Sequence, residues 1–133
     1  MSLIASQTIF YTALNGNVSA GVYDETPFLP EGAVDSDFPF VYIGDATARR
    51  FDNDSFVGQG VRQMVHVWSR YPGMKEVKEL MKEIDDIMNR GSFTLAGYNV
   101  VDCLSFSSSV SLDPDGKTRH GILGYNLTIQ ETS

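Results

Sequence analysis

The alternation of apolar and polar positions predicts several strands, and it is clearest in residues 61–70, "VRQMVHVWSR". One face of this segment carries Val61, Val65 and Val67, and the other carries Met64, His66 and Trp68. Because both faces carry bulky side chains, we expect this strand to lie in the middle of its sheet. His66 and Trp68 are then expected to serve as packing or interface residues.

Two segments have the spacing of amphipathic helices. In residues 4–14 the expected apolar stripe contains Ile4, Ala5, Ile9, Phe10, Ala13 and Leu14. Residues 74–89 follow the i, i+3, i+4, i+7 pattern with Val77, Leu80, Met81, Ile84, Ile87 and Met88, and charged side chains fill the opposite side. Gly91 suits the position just past the end of this second helix.

Shorter patterns supply the remaining strands. They cover residues 18–23, 38–46, a small hairpin formed by 93–95 and the residues from 98 onward, 100–112 and 122–130. The resulting order is α-β-β-β-α-β-β-β. It predicts a single α+β domain over residues 1–133, with a mostly antiparallel sheet and two main helices, the N-terminal helix and the 74–89 helix, packed on one face.

Three connections could contact a partner. Residues 24–37 form an acidic, proline-containing loop, and residues 113–120 form a turn of mixed charge that ends in Arg119 and His120. Residues 47–60 are expected to be a long loop or a mobile hairpin arm. The apolar side chains of this arm either contact a partner or fold back onto the core. The candidate contact residues are Arg49, Arg50, Phe51, Phe56, Val57, Arg119 and His120.

Composition and charge exclude several classes of function. The chain has 133 residues and a formal charge of −7, with Lys and Arg scattered along it, so a sequence-specific DNA-binding surface is not expected. No apolar run reaches the roughly 18 residues of a membrane-spanning helix, and no membrane partner is expected. Cys103 is the only cysteine, so an internal disulfide is excluded.

Catalytic and metal-binding signals are weak. Cys103, His66 and His120 could supply parts of a nucleophilic site, but a lone cysteine in a strand is more often part of the core. The two histidines are far apart in the chain and have no second cysteine nearby, so we expect no metal and no cofactor. A small-ligand-binding or hydrolytic α+β domain that uses these three residues remains the alternative to a non-enzymatic interaction module.

An ordered series of motifs resembles the tail completion, or head-to-tail joining, proteins of long-tailed double-stranded DNA phages. After the N-terminal helix come "GVYDETP", "FPFVYIGDA", "VHVWSRYPGMKEV" and "DPDGKTRHGILGYNLTI", which resemble successive elements of that family over nearly the whole chain. The acidic insertion at residues 31–37 and the pair Gln59-Gly60 depart from the family pattern. The departures concern loop contacts rather than the fold.

The resemblance implies a structural protein rather than an enzyme, with a fold similar to that of the tail terminators. Such proteins are expected to form a homo-oligomeric ring, typically of six subunits, that caps the tail tube and docks to the head connector protein. Closed rings need head-to-tail interfaces between subunits. DNA would pass through the lumen without specific binding. The expected location is the virion tail of a phage or prophage, after assembly in the host cytoplasm.

Overall fold

The described residues fold into one sheet with two α-helices. A computed structural model describes residues 2–24, 34–52 and 57–132, with the backbone alone at residues 51, 52 and 57. The elements are α1 (Ser2–Leu14), β1 (Gly21–Tyr23), a short 3₁₀ turn (Asp35–Asp37), β2 (Phe40–Asp52), β3 (Val57–Ser69), α2 (Lys75–Met88), β4 (Tyr98–Leu112) and β5 (Arg119–Glu131).

The sheet is mostly antiparallel, as the sequence predicts. Its strand order is β1-β2-β3-β5-β4, and β1 pairs parallel with β2 while the other neighbours pair antiparallel. The clearest strand of the sequence, β3, is central. Both helices contribute to one apolar core with the same face of the sheet, which we call the helix face. The other face, on which none of the described helices packs, is called the open face.

Helix α2 confirms the predicted stripe but not the predicted end. Val77, Ile84 and Met88 are fully buried, and the N–H of Asn89 closes the last turn on the carbonyl of Asp85. The left-handed residue is Arg90, with φ 61°. Gly91 serves a different purpose, since a Cβ there would lie 2.5 Å from the carbonyl oxygen of Ile87.

Helix α1 corrects one predicted core residue. Ile4 is 65% exposed, whereas Ser2, Ala5, Ser6, Ile9, Phe10 and Leu14 are buried. At 100° per residue, Ile4 points away from the stripe that the other residues share, and two serines take places on that stripe. In the described part of the chain, no helix combines the length and apolar character that a membrane crossing needs.

Residues 47–60 were expected to be a long loop or a hairpin arm, and the described residues fit the hairpin arm, because β2 continues to residue 52 and β3 begins at residue 57. Two further predictions change. Residues 93–95 form no strand and make only an isolated bridge between Leu95 and Tyr98. The predicted turn at residues 113–120 is shorter than expected. Arg119 and His120 belong to β5, which begins at residue 119 rather than at residue 122.

A buried glutamine organises the irregular part of β2. The pairing of β2 with β3 shifts between Ile43 and Ala46, and Gln63 of β3 lies there fully buried. Its Nε2 donates to the carbonyls of Gly44 (3.0 Å), Asp45 (3.3 Å) and Met64 (3.1 Å). Its Oε1 accepts from the hydroxyl of Ser6 (2.9 Å), which explains the polar residue on the α1 stripe. This network gives side-chain hydrogen bonds to backbone carbonyls at the point where the regular pairing of β2 with β3 is interrupted.

Candidate functional site

The open face carries a row of stacked rings across three strands. Phe40 stacks on Trp68 with ring centroids 5.2 Å apart, and Trp68 stacks on His120 at 4.3 Å with an interplanar angle of 7°. His66 stacks on Trp68 at 5.4 Å and on Tyr42 at 5.7 Å. Strand register produces this row, because Phe40, Trp68 and His120 are directly paired across β2, β3 and β5. His66 and Trp68 therefore pack against other rings of this row, which is one of the two roles that the sequence predicts for them.

The two histidines meet in this row. Nδ1 of His66 and Nε2 of His120 are 2.8 Å apart, so one ring donates a hydrogen to the other. Burial lowers the pKa of both side chains, and the positive charge of His120 lowers the pKa of His66 further. Both rings are held neutral near pH 7 as a result. Gly44 makes room for the pair, since a Cβ there would lie 2.6 Å from the His66 ring.

A second feature of the open face is a ring that crosses β5. Phe106 belongs to a bulge in β4, and a Cβ on Gly124 would lie 2.5 Å from its Cζ. The guanidinium carbon of Arg62 lies 4.5 Å from the centre of the same ring. Side chains from β4 and β3 thus meet over the glycine of the strand between them. The sequence analysis did not find this contact, although an isolated glycine in a strand often indicates a close approach.

Arg70, just after β3, holds the end of the acidic loop at Asp35 and the following residue Phe38. Its guanidinium lies 4.4 Å from the Phe38 ring centre and 3.2 Å from a carboxylate oxygen of Asp35. Its Nε donates to the hydroxyl of Thr118 at 3.0 Å. Hydrogen bonds from Thr118 and from the backbone of the turn lower the pKa of Asp115 to about 2. This corner is a structural joint, and the Asp113–Gly116 segment is the turn that its sequence predicts.

The three residues of the hydrolytic alternative, Cys103, His66 and His120, do not lie together in one site. Cys103 is fully buried in the core on the helix face, whereas His66 and His120 lie on the open face. Burial raises the pKa of the Cys103 thiol to about 12, so it is protonated and shielded from solvent. Among the side chains that the structure describes, no group of three or more His, Cys, Asp or Glu residues could hold a metal ion.

The predicted partner contacts fall into two places. Arg49 and Arg50 are exposed in β2, in the same hairpin as the backbones of Phe51 and Val57, while Phe56 lies outside the described residues. Arg119 and His120 pair with Ser69 and Trp68 at the opposite end of β3. The two groups are therefore separated by most of the length of β3, about 35 Å at 3.3 Å per residue.

A groove borders the edge strand β4. Its volume is about 410 Å³, and it is lined by Lys78, Met81, Lys82, Asp85, Ser105, Ser108, Ser109, Val110 and Leu123. The walls are therefore α2 and the outer part of β4. The serine-rich sequence of β4 gives no obvious motif for such a groove, and the sequence analysis did not single it out.

Comparisons with known proteins identify relatives in sequence and in fold. The profile of the family described as "Tail completion protein gp17" matches residues 11–130. The "Tail completion protein gp17" of Bacillus phage SPP1 is 26% identical over 95 residues, which cover 71% of this chain and 70% of the phage protein. A chain in the structure titled "Virion of native gene transfer agent (GTA) particle" superposes with a TM-score of 0.77 at 15% identity, covering 93% of each chain. The chain belongs to the tail completion protein gp17 family and is a phage tail protein.

Proposed function

We propose that the chain is a structural, non-catalytic protein that closes the top of the tail tube and joins the tail to the head connector. In this proposal it acts as a closed ring, with six copies as the expected number. The family match over residues 11–130 is the observation that carries the proposal. The tube protein and the connector protein are the partners, and the protein resides in the virion tail after assembly in the host cytoplasm.

The open sheet supports a ring. Strand β4 forms one edge of the sheet, and β1 covers only the first three residues of β2 at the other edge. A subunit with two different exposed edges can make the head-to-tail contacts that close into a ring. The acidic charge of the chain suits a lumen through which DNA passes without being bound.

The contacts with tube and connector are assigned to the two ends of β3. The hairpin end presents Arg49 and Arg50, both exposed. The other end presents Arg119 and the ring of His120, half-buried in the aromatic row. These groups lie at opposite ends of the same strands. In a ring between the tail tube and the head connector, one group would therefore face the tube and the other would face the connector.

Gene deletion tests this function. In the phage or prophage that encodes the chain, deletion is expected to leave filled heads and separate tails that do not join, with joining restored by the plasmid-borne gene. Electron microscopy of lysates provides the measurement. Complementation by a variant with Cys103→Ser and His66→Gln, which leaves the proposed contact residue His120 in place, separates this function from a hydrolytic one. Intact virions from the deletion strain, or failure of a folded double variant to complement, would contradict the proposal.

A further inference from the structure

We propose that the outer edge of β4, at residues 107–112, pairs as an antiparallel strand with the outer edge of β2, at residues 43–52, in a second copy of this chain. This inference rests on the proposed ring and specifies its interface. The two segments are then complementary edges of the same sheet, through which copies of the chain associate. The partner is a second copy because each copy supplies both edges.

In the described structure, the outer edge of β4 has no neighbouring strand at residues 107–112. Near its middle, Cys103 and Ser105 are already engaged on the outer side, because the N–H of Arg90 donates to the carbonyl of Cys103 and Asn89 accepts from the N–H of Ser105. Within the described residues, no strand pairs with β4 beyond that point. The alternation of backbone direction, shifted by the bulge between residues 105 and 107, turns the N–H groups of Ser108 and Val110 outward.

This edge lacks the usual protection against pairing. Strand β4 contains no Lys, Arg or Pro, the residues that natural edge strands use to block a further strand. Its single charged side chain is Asp102. Several large apolar side chains of the strand are also exposed, namely Val101, Leu104, Phe106 and Leu112. An exposed edge of this kind is a template for another strand.

The complementary edge lies at the other side of the sheet. Strand β1 pairs with β2 only through Tyr42, which leaves residues 43–52 without a strand neighbour on that side in the described part of the chain. Arg49 and Arg50 are exposed there, and they meet no basic residue in β4. The long strands alternate in direction in the order β2, β3, β5, β4. Copies related by rotation about an axis along the strands therefore bring β4 beside an antiparallel β2.

The face on which each side chain lies limits which residues of β4 and β2 can be opposite one another. Side chains of Ser108 and Ala48 lie on the helix face, because their strand partners Leu123 and Val61 are core residues. The side chains of Val110 and Ala46 lie on the same face, because they pack against that core. The pairing must keep these side chains on the same face, and β4 must not overlap β1. In the pairing nearest to β1 that meets both conditions, Ser108 lies opposite Ala48 and Val110 lies opposite Ala46. The small alanines then close the groove between α2 and β4 without filling it with bulk.

The same register has the offset that a closed sheet needs. Within one subunit, Phe40 is level with Ser111 of β4 through Trp68 and His120. The proposed pairing instead places Ser111 opposite Asp45, a shift of about five residues across four long strands. Closed barrels have a stagger of roughly one residue per strand, with strands tilted by about 35–45°.

Disulfide trapping tests the pairing directly. The double variant Ala48→Cys with Ser108→Cys places thiols on opposed, hydrogen-bonded residues of neighbouring copies, about 5.5 Å apart between Cα atoms, which a disulfide can span. After oxidation, non-reducing electrophoresis is expected to show a ladder of covalent multimers up to the full ring. Each single variant, as the matched control, is expected to show no species larger than a dimer.

A second variant tests the backbone contact. Ser108→Pro removes an outward N–H without removing a bond to β5, whereas Ser108→Ala keeps that N–H. By light scattering, half-assembly of the proline variant is expected at a concentration at least tenfold higher than that of the wild type, and the alanine variant is expected to match the wild type. Circular dichroism checks that both variants fold.

The outcomes separate the edge pairing from the proposed function. Wild-type rings without a ladder from the double-cysteine variant overturn the edge pairing, while the ring remains. A wild-type chain that stays monomeric, alone and with purified tails, overturns the edge pairing and the ring together. Joining of heads to tails, measured in the deletion strain, then decides separately whether the protein completes tails.

Discussion

Gln63 provides the sharpest test of how the bulge in β2 is stabilised. The change Gln63→Met keeps the approximate volume of the side chain and removes every polar contact. The amide can donate two hydrogen bonds and accept one, each worth about 1 kcal/mol, and its loss removes the hydrogen bonds to the buried Ser6 hydroxyl and to the Gly44 carbonyl. The apolar methionine recovers part of this loss, so we expect a net destabilisation of about 2–3 kcal/mol.

The measurement is the free energy of unfolding from urea titration, together with thermal unfolding followed by circular dichroism. With an unfolding entropy of about 2.1 cal/mol/K per residue, the expected loss lowers Tm by roughly 7–11 °C. Gln59→Met is the matched control, because Gln59 lies four residues earlier on the same face and its Oε1 has no hydrogen-bond partner among the described residues. A change of less than about 0.5 kcal/mol in Gln63→Met would refute the argument.

Three further outcomes follow from the site. The folded-state pKa values of His66 and His120 are lowered, so the unfolded chain binds protons first. Stability is therefore expected to fall as the pH drops below the ordinary value of 6.5. Urea titrations at pH 7.5 and 5.0 should show a smaller difference in His120→Gln than in the wild type, and an equal difference would contradict this. Because burial raises the Cys103 pKa to about 12, a disulfide reagent should modify the native protein roughly a hundredfold more slowly than the urea-unfolded protein. Comparable rates would show an accessible thiol. Gly124→Ala should displace the Phe106 ring and cost about 1 kcal/mol in the free energy of unfolding, the size of an exposed cation–π contact. The same change in a Phe106→Ala background should cost much less, and an unchanged cost would indicate another cause.

Local pattern was sufficient for the central elements. The alternation in β3 and the helical stripe of α2 identify both elements and their buried faces, since each pattern repeats several times within one segment. Residues 47–60 were harder to interpret because the polar arm has too little alternation to be distinguished from a loop. Pairing with β3 makes the first part of this arm a strand, and pairing is a property of two segments.

The candidate site shows the same limit. The sequence indicates that His66 and Trp68 share a face, but the meeting of His66 with His120 depends on β5 lying between β4 and β3, a strand distant from it in the chain. Cys103 could be combined with either histidine in a list of reactive residues. The sheet separates them, because successive residues of a strand point to opposite faces.

The α+β class, the two helices, the central strand and, through the ordered motifs, the family could all be predicted from the sequence. These depend on periodicity within segments and on motif order, which a linear chain displays directly. The tertiary structure alone decided which edges stay free, where the bulges fall, and which polar groups need a partner such as Gln63. Those features depend on strand order and register, which arise from contacts between segments distant in the chain.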